Sequence, residues 1–232
     1  MAALTALGFD ADDTLWQNET FFRLTEARFR ELIAGYAEPG LAAARLAEVH
    51  TGNLARYGYG IKGFTLSMVE TAIEVTGGKL PAAVLGEIVA AGRDMLAHPV
   101  ETLPNVRATL ESIAGRYRLI LITKGDLFDQ ERKLAASGLG DLFDAVEIVS
   151  SKDADTYRRN FARHADGPAR AMMVGNSLKS DVLPALAAGS WGVHVPHELT
   201  WDHERADPPE GADRVRQLGD LAGLTDRLAD IG

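Results

Sequence analysis

The stretch "LGFDADDTLW", Leu7 to Trp16, decides how the chain is read. Apolar residues run directly into three carboxylates, Asp10, Asp12 and Asp13, with Thr14 immediately behind them. A short apolar run of this kind reads as a buried strand, and burial and mutual repulsion both disfavour charge at its end. Acids crowded there require opposite charge close by. The ends of the other apolar runs indicate where that charge comes from.

Those runs are Thr5–Phe9, Tyr117–Thr123, Ala145–Ser150, Ala171–Gly175 and Trp191–Val195. From Tyr117 onward they alternate with helix-period segments at Leu127–Ser137, Asp153–His164 and Leu178–Ala188. Strands apolar along their whole length, separated by helices, predict a parallel sheet covered on both faces, an α/β Rossmann-like core. Right-handed crossovers then bring every strand C-terminus to one edge. Between the first two strands nearly everything reads as helix, over Glu19–Tyr36, Leu41–Tyr57, Leu66–Thr76 and Pro81–Ala97, with breaks at "AEPG", "GYGIKG" and "GGKLP". The expected organisation is a core of residues 1–15 and 100–232 with an α-helical cap of residues 16–99 inserted after strand one.

Composition narrows the function classes. The 232 residues carry a net charge of −9, which offers nucleic acid no general basic surface. No apolar run reaches the roughly 18 residues of a membrane span. The start "MAALTALGFD" lacks the basic head and long apolar centre of a signal peptide. Zero cysteines exclude disulfides, thiol catalysis and thiolate zinc sites. These features lead us to expect a cytoplasmic protein, monomer or homodimer, with no nucleic-acid or membrane partner.

In open parallel sheets ligands bind outside the strand C-termini. Strand one ends in Asp10 and Asp12, strand two in Thr123-Lys124-Gly125-Asp126, strand three in Ser151-Lys152, and strand four in Gly175-Asn176-Ser177 with Asp181 close behind. In these residues the chain resembles the haloacid dehalogenase superfamily, among its phosphatase-like members with a helical cap. The family's Asp-x-Asp-x-Thr is matched by Asp10 to Thr14, its strand-two hydroxyl by Thr123, its lysine by Lys152, and its Gly-Asp…Asp by "GNSLKSD", Gly175 to Asp181. The resemblance extends over essentially the whole chain.

It implies a Mg²⁺-dependent phosphatase acting on a small phosphorylated metabolite. Asp10 would be the nucleophile and Asp12 the general acid and base. Thr123, Lys124 and Gly125 would hold phosphoryl oxygens, and Lys152 would stabilise charge and orient Asp10. Asp10, the Asp12 carbonyl, Asn176 and Asp181 form the expected metal set, because Mg²⁺ takes oxygen ligands. Asn176 departs from the pattern, standing where most relatives carry an acid. We expect it as a ligand, with Asp181 assisting.

Some residues invite plainer readings. Asp13 and Asp126 read as helix caps, and His194 as a packed strand histidine. His197 and His203 lie in a polar segment without metal-binding spacing. Substrate choice is expected in the cap, with Trp16 and a loop containing Lys62 in "RYGYGIKGF" as contacts. Two rivals remain. A 2-haloacid dehalogenase has no need of Asp12, because halide leaves unprotonated. A non-catalytic phospho-ligand-binding module has no need of Asp10, Asp12, Thr123 and Lys152 together. A phosphomutase shares the whole set.

Overall fold

A computed structural model describes residues 3–209, 211 and 213–231. In chain order the elements are β1 (Ala6–Phe9), α1 (Glu19–Ile33), α2 (Pro39–Tyr57), α3 (Ile61–Val75), α4 (Ala82–Leu96), α5 (Val106–Ile113), β2 (Arg118–Lys124), α6 (Leu127–Ser137), β3 (Ala145–Val149), α7 (Ala154–His164), β4 (Ala171–Gly175), α8 (Leu183–Ala188), β5 (Trp191–His194), β6 (Val215–Gln217) and α9 (Leu224–Ile231). The chain divides into two compact units. One comprises Met1–Glu19, Val100–Lys124 and Gln130–Gly232; the other comprises Thr20–Pro99 and Gly125–Asp129.

The first unit is built on one parallel six-stranded sheet of order β3-β2-β1-β4-β5-β6. The expected α/β Rossmann-like core is what forms. Alternation along the strands explains why the runs are apolar throughout. Leu7, Phe9, Leu119, Leu121, Met172 and Val174 face one core, shared with Leu110 of α5 and Leu228 of α9. Ala6, Ile120, Ile122, Ala171 and Met173 face the other, against Tyr157 and Phe161 of α7. Both faces are dry, so neither set of alternate residues is polar.

β1 is flanked by β2 and β4, with Gly8 level with Ile120 and Met173. A Cβ on Gly8 would meet the Met173 sulfur at 3.0 Å, Ile122 at 3.1 Å and the Phe161 ring at 3.2 Å. The glycine therefore lets α7 close on the sheet beside the first acidic motif. Strand order reverses at β1, which runs into Asp10, and the ligand crevice of a doubly wound sheet lies at such a reversal.

Three local features differ from the sequence reading. β6 is a short strand of three residues, "VRQ", whose polar composition hid it. The segment after β4 opens as one π-helical turn, Leu178–Val182, before α8. Asp181 and Val182 both donate to the Ser177 carbonyl there, at 2.9 and 3.2 Å, and such wide turns are common at functional sites. In the helical unit, α3 starts at Ile61 and not at Leu66. Gly58 (φ 72°) and Gly60 (φ 111°) make the break, and Gly63 lies inside the helix. Lys62 therefore sits in a first helical turn, not in a loop.

The helical unit has its own core, with Phe29, Ile33, Leu46, Phe64, Met68 and Ile88 at its centre. α3 and α4 approach closely where a Cβ on Gly92 would lie 2.1 Å from the Thr65 hydroxyl. Among the described residues no helix is long and apolar enough to cross a membrane.

Gly8→Val tests the sheet packing. The added side chain must displace Met173 and Phe161, and we expect a loss of about 1–3 kcal/mol in unfolding free energy, read as a lower urea midpoint.

Candidate active site

Parallel strands deliver four sequence motifs to one edge of the first unit. Asp10 follows β1, and its amide donates to the Val174 carbonyl of β4 at 2.9 Å, carrying the sheet pattern one residue past the strand. Lys152 lies between β3 and α7, where its ammonium is almost fully buried and donates to Asp10 Oδ1 and, at 2.7 Å, to Asp181 Oδ1. Asp181 is completely buried, and its second oxygen accepts from the Ser177 amide at 3.0 Å. A Cβ on Gly175 would fall 2.2 Å from that oxygen, so the glycine of this motif is what admits Asp181.

Two carboxylates thus share one ammonium away from water. Burial pushes the Asp10 carboxyl above its usual value, and Asp181 adds to this against the pull of Lys152. Burial works against the Lys152 charge, but Asp10 and Asp181 outweigh it and hold the ammonium above its usual value. Tyr157 closes this corner, donating to the Ser180 carbonyl at 2.9 Å; burial and the nearby carboxylates keep its phenol protonated.

Thr14 joins the first and fourth motifs. Its hydroxyl accepts from the Asn176 amide at 3.0 Å and lies 3.3 Å from both Asp10 Oδ2 and Asn176 Oδ1. His194 Nε2 lies 3.0 Å from the Asn176 carbonyl, which calls for the tautomer protonated at Nε2. Thr123 is buried at the end of β2, and Gly125 (φ 142°) follows in a conformation natural to glycine.

Asp12 faces a different set of donors. It accepts from the Trp16 indole N–H at 2.7 Å, Gln130 Nε2 at 2.7 Å and Lys133 Nζ at 2.9 Å. Burial disfavours its charge, but Lys133 and these hydrogen bonds win and hold the carboxyl below its ordinary value. Trp16, expected as a substrate contact, is fully buried and anchors Asp12 instead. Asp13 accepts from the amides of Asn18 and Glu19, at 2.9 and 3.0 Å, at the start of α1.

Two expected substrate cations have carboxylate partners. Lys124 Nζ lies 2.5 Å from Glu204 Oε1 and 2.9 Å from the Ser180 hydroxyl. Lys62, in the helical unit, is exposed and pairs with Asp126 at 2.9 Å, beside the Phe128 ring. Asp126 also accepts from the Asp129 amide at 3.1 Å, capping α6.

Sequence reasoning missed Gln130, Lys133, Tyr157 and Glu204. The first three lie on helices whose spacing is satisfied by packing alone. Glu204 sits in the polar segment after β5 without any motif. Burial still opposes its charge, but Lys124 and the hydroxyls of Ser180 and Ser177 bring its pKa down to about 2.

The donor chemistry suits a hard divalent cation. Among the described residues no group of three or more His, Cys, Asp or Glu is arranged to hold a metal, so a site here must draw on other oxygens. Asp10 and Asn176 supply a carboxyl and an amide oxygen beside one hydroxyl, and Asp10 and Asp181 set two buried carboxyl groups against the one Lys152 ammonium. Mg²⁺ takes such oxygen ligands and keeps several waters. Both oxygens of Asp181 accept hydrogen bonds, one from Lys152 and one from the Ser177 amide.

The first unit is thus a doubly wound sheet with buried acids and a lysine at its carboxyl edge. Residues 4–189 match the profile of haloacid dehalogenase-like hydrolases, and the chain belongs to that family. It is similar to a haloacid dehalogenase-like hydrolase of Xanthomonas campestris, with 42% identity, a TM-score of 0.88 and coverage of 99% of this chain and 92% of that one. A glyceraldehyde 3-phosphate phosphatase of Methanothermobacter thermautotrophicus is 31% identical over 133 residues, which is 54% of this chain and 58% of that relative. The match therefore spans little more than half the length of that enzyme. The HAD-hydrolase YfnB of Bacillus subtilis, whose structure holds magnesium, shares the fold at 15% identity, with a TM-score of 0.67 and coverage of 98% and 99%.

Lys152→Met removes the one charge shared by Asp10 and Asp181. Breaking a buried pair from one side leaves uncompensated charge, so the expected loss is about 3–5 kcal/mol in urea unfolding.

Proposed function

We propose that this chain is a Mg²⁺-dependent phosphatase that hydrolyses a small phosphorylated metabolite through an aspartyl-phosphate on Asp10. The observation that carries this reading is the buried Asp10–Lys152–Asp181 arrangement at the carboxyl edge of β1, β3 and β4. Similarity to a phosphatase of a phosphorylated three-carbon sugar supports the substrate class.

Asp10 attacks phosphorus, and the bond from phosphorus to the ester oxygen breaks as the new bond to the Asp10 carboxylate forms. Lys152 favours the ionised form of Asp10 against burial and aims it, while Asp181, locked by Ser177, keeps Lys152 in place. The Thr123 hydroxyl and the amides of Lys124 and Gly125 donate to phosphoryl oxygens as charge develops on them. Asp10, the Asp12 carbonyl and Asn176 would hold Mg²⁺, which when bound supplies Lewis-acid polarisation of the phosphoryl group. Asn176 in place of an acid makes this set less negative, so binding should be weaker than at an all-carboxylate site.

The second half-reaction needs a base. Asp12, kept ionised by Lys133, Gln130 and Trp16, takes a proton from the water that attacks the aspartyl-phosphate, and orthophosphate leaves. Protonating an alkoxide leaving group asks the reverse of Asp12, and the Lys133 pair opposes it. Acid catalysis therefore depends on Asp12 loosening from Lys133 once substrate is bound. The helical unit, Thr20–Pro99, acts in this reading as the cap that selects the leaving group, with Lys62 the candidate contact once freed from Asp126.

Hydrolysis of p-nitrophenyl phosphate tests the reading. We expect turnover that EDTA abolishes and Mg²⁺ restores, and no turnover by Asp10→Asn. Asp12→Asn should lose about 10²–10⁴-fold on alkyl phosphates and less on p-nitrophenyl phosphate, whose leaving group needs no proton. Metal-independent turnover, or an active Asp10→Asn, defeats the mechanism. Halide release from 2-chloropropionate in place of phosphate release would turn the reading to the dehalogenase branch.

A further inference from the structure

One carboxylate in the first unit has a set of partners that the hydrolytic chemistry does not call for. Glu204 stands in the segment between β5 and β6, in a single 3-10 turn at Asp202–Glu204. Its Oε1 lies 2.5 Å from Lys124 Nζ, at the end of β2. Its Oε2 accepts from the Ser177 hydroxyl at 2.7 Å and from the Ser180 hydroxyl, both just beyond β4. Lys124 in turn donates to the Ser180 hydroxyl at 2.9 Å, which closes the ring.

We propose that Glu204 is a positioning residue that clamps the ends of β2 and β4 in the register the phosphoryl site requires; this rests on the phosphatase reading above.

The network continues from the clamp to the nucleophile. Ser177 caps the wide turn, its hydroxyl accepting from the Ser180 amide at 3.0 Å. The Ser177 amide holds Asp181 Oδ2, Asp181 Oδ1 holds Lys152, and Lys152 holds Asp10. Ser177 also follows Asn176 directly, so holding Ser177 holds the backbone next to Asn176. At the other strand end, fixing Lys124 fixes the backbone between Thr123 and Gly125, whose donors face the phosphoryl group in the proposed mechanism.

Apolar packing does not account for this contact. No residue from 196 to 209 is buried, so the segment has little core of its own. Yet the Glu204 side chain is only 15% exposed and that of Lys124 14%. The polar contacts are therefore what draw the segment inward, with the Lys179 ammonium donating to the His203 carbonyl at 2.7 Å alongside. A charge-assisted hydrogen bond is about twice as strong as a neutral one, so the carboxylate matters more than its shape. Glu204 also cancels the charge of Lys124, which leaves that ammonium as a strut and not a free phosphate ligand.

Glu204→Gln keeps the size and an acceptor oxygen but removes the charge, and it carries the test, with Glu204→Ala as the second variant. With p-nitrophenyl phosphate and Mg²⁺, we expect Glu204→Gln to lower kcat about tenfold or more while KM changes less than about threefold. Amide exchange of the folded protein supplies a readout that needs no turnover. We expect the Ser177 and Ser180 amides to exchange about tenfold faster in Glu204→Gln, with Gly8 and Ile120 in the sheet unchanged. Unchanged exchange at Ser177 and Ser180 overturns the clamp. Wild-type kcat in both variants overturns its connection to catalysis, as does a kcat loss that merely follows a loss of folded protein. A wild-type chain without turnover defeats the phosphatase reading instead, and the exchange result then decides the clamp alone.

Discussion

The Lys152 ammonium, buried between the carboxylates of Asp10 and Asp181, is the interaction on which the site depends. Three charges out of water are costly to assemble, and attraction repays the cost only when geometry is good and the remaining lone pairs are satisfied. The surroundings meet those conditions. Ser177 satisfies the second oxygen of Asp181, Thr14 stands by the second oxygen of Asp10, and Tyr157 closes the corner behind them. Two carboxyl groups face one ammonium, which suits the divalent cation and phosphoryl group of the proposed mechanism.

This constraint explains features of the fold that otherwise look incidental. The three charges come from the ends of β1, β3 and β4, so only parallel strands with their C-termini on one edge can bring them together. Gly8 lets α7 pack tightly on the sheet and so positions Tyr157. Gly175 leaves the space that the Asp181 carboxylate fills, and the wide turn after it carries Asp181 back toward the sheet. Each is a small local departure that serves the same buried cluster.

Asp12 shows how neighbouring acids acquire different characters. Asp10 and Asp12 are two residues apart, yet burial raises the carboxyl of the first while Lys133 and two neutral donors lower that of the second. Asp12 lies in the turn that follows β1, so its side chain meets surroundings different from those of Asp10, and environment then sets the chemistry. Asp13, next in line, serves the start of α1.

Much of this was legible in the chain itself. Apolar runs with β-period burial on both faces determined the parallel sheet, and the polar residues that end those runs determined which side chains meet at its edge. β6 was not legible, because a three-residue edge strand of polar composition carries no periodic signal. The start of α3 was misread for a related reason: glycine marks a break in sequence whether it ends a helix or lies within one, as Gly63 does. Tertiary structure alone decided the partners of each charge. That Gln130 and Lys133 meet Asp12 and that Lys124 pairs with Glu204 depends on distances between residues far apart in the chain. Local sequence encodes which groups are available and along which face they lie; the pairing of buried charges follows from the whole fold, because only the packed interior excludes the water that would otherwise satisfy each of them separately.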